Sequence, residues 1–122
     1  MKTVNAVLVE PSGIASRVTF SSLEEAQAHV GGNIEGLSLP GAYAYINEDG
    51  KGLKLPLNVR ATDFWIALLA GANRDSFSDF IVGNMLIFGP IDSEGDETDV
   101  PLFVLEHFGL DWSTRHEAAL PS

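Results

Sequence analysis

The sequence predicts an α+β fold: a single domain of about five mostly antiparallel strands with two or three helices on one face. Three observations carry that expectation. Valine-rich and alternating stretches are separated by short turn signals, as in hairpins. Two apolar patterns of helical period interrupt them near residues 23–30 and 61–72. A chain of 122 residues with 45% hydrophobic content is long enough for one core and short for two.

Taken in order, Val4 to Glu10 reads as a strand, Pro11-Ser12-Gly13 as a turn, and Ser16 to Phe20 as the returning strand of a hairpin. Ser22-Leu23-Glu24-Glu25 has the form of a capping box. The Ser22 hydroxyl accepts from the Glu25 amide, and the glutamate reaches back to the serine amide. Leu23, Ala26 and Val30 follow at helical spacing, and Gly31-Gly32 ends the helix. Ile34 to Leu39 and Ala42 to Asn47 are strands joined at Pro40-Gly41. After the turn at Asn47-Glu48-Asp49-Gly50, residues 53–58 form an edge strand or a tight extended loop, because Pro56 cannot donate to a ladder.

Residues 61–72 form a helix capped by Asn58 or Thr62. Residues 80–88 form a strand interrupted at Gly83-Asn84, and residues 92–99 an acidic, exposed and mobile connector. Residues 100–108 fit a helix better than a strand, with Thr98 or Asp99 as its cap, Pro101 in its first turn and Gly109 after its end. The domain is thus placed at residues 1–110, with 111–122 a partly flexible tail in which Trp112 tucks back.

Composition removes several functions. Without cysteine there are no disulfides or thiolate metal sites, which suits a cytoplasmic location. The opening apolar run is cut off by Glu10 and Pro11, too early for a signal peptide, and no stretch is long enough to span a membrane. The net charge is −10: 9 acids face 6 bases through Ile91, and 8 face 1 beyond it. So few cations argue against direct nucleic-acid binding.

Catalytic chemistry finds little support. His29 and His107 stand near helix ends, where the helix dipole favours a cation, and no pair of histidines has metal-ligand spacing. No serine sits in a Gly-x-Ser-x-Gly elbow, and no glycine pattern suits a phosphate cradle. Asp92, Glu94 and Asp96 alternate as calcium ligands do, but the glycine and the closing glutamate of a calcium loop are misplaced. The expectation is no metal, no cofactor and no catalytic residue.

Two sets of residues remain as candidates. Asn47, Asn58, Arg60, Thr62 and Asn84 are polar, and three of them cluster at a strand-to-helix junction where amides point outward. Such a junction suits an anionic or nucleotide-like ligand. The plainer reading makes Asn58 and Thr62 caps and pairs Arg60 with a carboxylate. The second set is Phe64, Trp65, Ile66, Leu68 and Leu69, which occupy more of the 61–72 helix than one sheet contact covers. Either a second copy covers them in a homodimer, or residues 100–108 or Trp112 fold over them.

Gly31-Gly32-Asn33-Ile34-Glu35, then Asn47-Glu48-Asp49-Gly50 with Leu55-Pro56-Leu57-Asn58 and Ala61-Thr62, then Asp79-Phe80-Ile81-Val82-Gly83 stand in this order along the chain. Together these stretches resemble a small domain family of unknown function carried by bacteriophages and bacterial mobile elements, over about residues 4–89. The resemblance carries no activity and no site residues. It implies an accessory protein acting inside a bacterial host cell, and the leading expectation is a non-catalytic binder of a host protein. The alternatives are a binder of a small anionic metabolite or nucleotide, and an acidic DNA mimic that blocks a host DNA-binding enzyme. Mimicry requires acids in rows, whereas most of the charge here lies beyond Ile91.

Overall fold

The structure, a computed structural model, describes residues 2–69 and 80–110. The expectations for Trp112, for the tail 111–122 and for the end of the 61–72 helix lie outside those residues. The described elements run β1 (Val4–Val9), β2 (Ala15–Phe20), α1 (Leu23–Val30), β3 (Ile34–Leu39), β4 (Ala42–Asn47), α2 (Val59–Leu69), β5 (Met85–Phe88) and α3 (Leu102–His107). The five strands form one sheet in the order β2-β1-β5-β4-β3, with every neighbouring pair antiparallel. This is the α+β architecture that the alternating stretches predict.

Each hairpin forms for a local reason. Between β1 and β2, Glu10 donates to the carbonyl of Ile14 at 2.9 Å, and Gly13 takes φ 95° at the tip. That left-handed conformation is strained for a residue bearing Cβ. Helix α1 begins as expected at Ser22, whose hydroxyl accepts from the Glu25 amide at 3.1 Å. The reciprocal bond falls one residue earlier than a capping box has it: Glu25 Oε1 accepts from the Ser21 amide at 2.7 Å. Ser22→Ala should therefore cost about 0.5–2 kcal/mol, read as a shift in denaturant midpoint. An unchanged midpoint would mean that the helix does not start at Ser22.

One part of the expected layering is corrected. The helices divide between the two faces of the sheet instead of sharing one. Val4, Ala6 and Leu8 of β1 point with Leu86 and Phe88 toward α1, where Ala26 and Val30 close a core around Phe20. Val7 and Val9 point the other way with Met85 and Ile87, into a larger core with Ala61 and Phe64 of α2 and Val104 and Leu105 of α3. Strand β5 is buried at all four residues, which requires cover on both sides.

Other boundaries shift for identifiable reasons. The interruption expected at Gly83-Asn84 is present, with Gly83 at φ 73°, but the strand is shorter than expected: Val82 makes only an isolated bridge to Leu57 and the ladder starts at Met85. Residues 53–58 form no strand beyond that bridge. Neither Thr98 nor Asp99 caps α3. Its N-cap is Pro101, without a side-chain bond, because the other two residues are used in the sheet. Thr98 bridges Gly89, and Asp99 Oδ1 accepts from the Asn5 amide at 2.8 Å. Gly109 follows α3 at φ 75°, as expected of a residue that ends a helix.

Candidate functional site

The five polar candidates are placed by the backbone around β1, α1 and α2, and each has a partner within the chain. Asn58 is fully buried. Its Nδ2 donates to Val9 O at 2.9 Å and to Gly83 O at 2.8 Å, and its Oδ1 accepts from the Ala61 amide at 3.0 Å. One amide thus caps α2 and joins it to β1 and to the approach to β5. Arg60 lies beside it, donating from Nη1 to Gly13 O at 2.7 Å and stacking over the Phe108 ring at 5.1 Å. Thr62 does not cap α2; its hydroxyl accepts from the Ile81 amide at 2.9 Å. Asn47 and Asn84 both bind the end of α1, donating to Val30 O at 3.2 Å and to His29 O at 2.8 Å. The set is therefore two groups, one at the start of α2 and one under the end of α1.

The apolar candidates on α2 separate by depth. Phe64 is buried against the rings of His107 at 4.9 Å and Phe108 at 5.0 Å, which also touch each other at 4.8 Å. Helix α3 thus covers part of α2 from within the chain, which is one of the two remedies its apolar circumference demands. Trp65 and Leu68 pack at the edge of the same core, while Ile66 and Leu69 are half-buried.

Several described apolar residues stay open to water, and three of them gather at one place. Leu57 (50% exposed), Val59 (57%) and Phe80 (45%) line an open hollow of about 390 Å³ at the start of α2. Leaving a large apolar side chain in water forgoes roughly 1.5–3 kcal/mol relative to burying it. Phe80 also lines a second, more enclosed hollow of about 180 Å³, between α2 and β3, with Trp65, Leu37, Glu35, Glu48 and Lys51. Lys51 holds its ammonium 4.7 Å from the Phe80 ring. Sequence reasoning left Phe80 in a strand and Leu57 in an extended segment. The available signal was Leu57 and Val59 set beside Pro56 and Asn58, where a ladder is broken; Phe80 carried no such signal.

The acidic connector is exposed from 92 to 96, as expected, but it is held. Asp92 Oδ1 accepts from the amides of Glu94 at 2.9 Å and Asp96 at 3.0 Å, and Gly95 completes the turn at φ 84°. The bonds from Asp96 and Glu94 hold the Asp92 carboxyl below its ordinary value of 3.8. A group depressed in this way supports the turn above its ordinary value and releases it as the pH falls through its lower, folded value. The side-chain carboxyl carbon of Asp92 should thus titrate with a midpoint under 3.8; a midpoint at or above it would mean that these bonds do not form in solution. Nearby, the Tyr45 hydroxyl donates to Glu97 Oε2 at 2.7 Å. Burial, and then the carboxylate, push the phenol well above its usual range, so it remains a donor.

Among the described residues no group of three or more metal-ligating side chains comes together, and no helix is long and apolar enough to cross a membrane. A family of domains of unknown function, DUF3846, matches residues 1–112. The chain belongs to this family. The comparison with curated proteins finds no match, and neither does the comparison with solved structures. The DUF3846 match runs from β1 through α3 and includes both hollows that Phe80 lines.

Proposed function

We propose that this DUF3846 chain is a non-catalytic accessory protein of a bacteriophage or mobile element, and that it binds a host protein through the surface around Phe80. The observation that carries this reading is the joining of two hollows at one exposed aromatic ring. Leu57 and Val59 present open apolar area on one side, and Trp65 and Leu37 line a deeper recess on the other. Open apolar area rimmed by charge is characteristic of protein-binding surfaces. The phage setting rests on the resemblance of residues 31–35, 47–50, 55–58, 61–62 and 79–83, and a bacterial cytoplasm is the compartment that goes with it. The anionic-ligand alternative is the weaker one, because Asn58, Arg60 and Thr62 already hold backbone partners.

The test uses the full chain as bait in host lysate, beside Val59→Asp and Leu57→Asp variants. Both positions are half or more exposed, so the fold should persist. The expected result is a host protein retained by the wild type and lost with either variant. A bound small molecule with no protein, or a protein retained equally by all three, would refute this reading.

A further inference from the structure

We infer that β3 is an acceptor edge, to which an extended, basic segment of a partner protein adds as a sixth strand beside α2. This rests on the reading of the Phe80 surface as a protein-binding one, and it names how the partner engages it.

The sheet has two edges, β2 and β3, and they differ. In the β1–β2 hairpin the Glu10–Ile14 bond sets the alternation, so Ala15, Arg17 and Thr19 turn their backbone groups outward. That edge is occupied: His29 Nε2 lies 3.0 Å from Thr19 O, and Arg17 has contacts of its own. On the other side, Glu48 donates to Asn33 O at 2.8 Å, which makes Glu35, Leu37 and Leu39 the residues bonded to β4. Ile34, Gly36 and Ser38 therefore aim their amides and carbonyls away from the sheet, and Gly36 and Ser38 are exposed. Natural edges are commonly blunted by proline, charged side chains or a bulge. Strand β3, Ile-Glu-Gly-Leu-Ser-Leu, has no proline or bulge, and its one charge, Glu35, repels acidic strands while leaving the edge open to basic ones.

The hollow between α2 and β3 gives the added strand a place for its side chains. A strand laid against β3 alternates its residues between the two faces, so every second side chain falls beside Glu35 and Leu37, under α2. There the apolar surface of Leu37 and Trp65 suits an aliphatic stem. The lining carries two exposed carboxylates, Glu35 and Glu48, against one cation, Lys51, whose ammonium lies over the Phe80 ring, and this balance suits a cationic head on the Glu35 side. Lysine and arginine have that form. The same charges disfavour a second copy as the occupant. Antiparallel self-pairing would bring two Glu35 carboxylates to one seam between chains of net charge −10 each. In strand addition the main chain supplies affinity and the alternate pockets supply specificity.

The test is selection of random ten-residue displayed peptides on the full chain, followed by calorimetric titration of the enriched sequences. The expected peptides alternate and carry lysine or arginine. They should lose at least tenfold in affinity on Ser38→Pro, which removes an outward amide and no ladder bond, and on Glu35→Lys. N-methylation of alternate peptide amides should abolish binding, and carries the test if Ser38→Pro fails to fold. Peptides that keep full affinity for Ser38→Pro but lose it on Val59→Asp would overturn strand addition and leave the protein-binding surface standing. Enriched peptides that are acidic would overturn the charge assignment. Failure to enrich any peptide, or binding indifferent to all these variants, would overturn both readings.

Discussion

Asn58→Ala is expected to leave little folded protein at 37 °C. The substitution strips partners from Val9 O, Gly83 O and the Ala61 amide at once, in a site with no access to water. Each buried group left unpaired costs about 1–3 kcal/mol, and a small domain has about 5–15 kcal/mol in total. Asn58→Ser separates the roles, because serine caps a helix well but cannot span to both carbonyls. It should recover part of the loss and remain destabilised. Denaturant midpoints measure both; an alanine variant within about 1 kcal/mol of wild type would show that the amide is not the joint between α2 and the sheet.

The second large effect is Phe64→Ala, expected to destabilise by about 3–5 kcal/mol, as buried aromatic truncations do. Its neighbour Ile66, half-buried and outside the core cluster, should cost far less on truncation to alanine. The contrast tells which side of α2 is interior. If Ile66→Ala unfolded the protein and Phe64→Ala did not, the helix would be rotated and the packing of Phe108 on Phe64 would be absent.

Much of the fold was legible because its signals are local. The bounds of α1, β3 and β4 coincide with a serine cap, a glycine pair and a Pro-Gly turn that lie within a few residues of them. The layering depends on long-range information, yet a clue was present: Met85-Leu86-Ile87-Phe88 has no polar alternation, which marks a strand covered on both faces. The uses of Thr98 and Asp99 were hidden, because their partners Gly89 and Asn5 reach them only once the sheet has formed. The polar candidates were legible as unusual residues but not as ligands or struts. Asn58 reads alike in sequence whether it faces a phosphate or a carbonyl. The Phe80 surface was missed because exposure is a tertiary property, and a large apolar residue in a sequence counts first as core.

The strand order has a consequence for how the chain is made. The β1–β2 and β3–β4 pairs are neighbours in sequence, and β5 joins them from the far side of α2, setting Leu86 against both Leu8 and Tyr45. During synthesis the two hairpins leave the ribosome with their inner edges bare, and only residues 85–88 can close the gap. Until that strand emerges, the nascent chain carries two sticky half-sheets and has no cooperative unit to fall into. A ribosome paused before Met85 should thus hold a protease-sensitive chain. One paused far enough beyond Leu110 to clear the exit tunnel should hold a resistant one, with the change arriving in a single step.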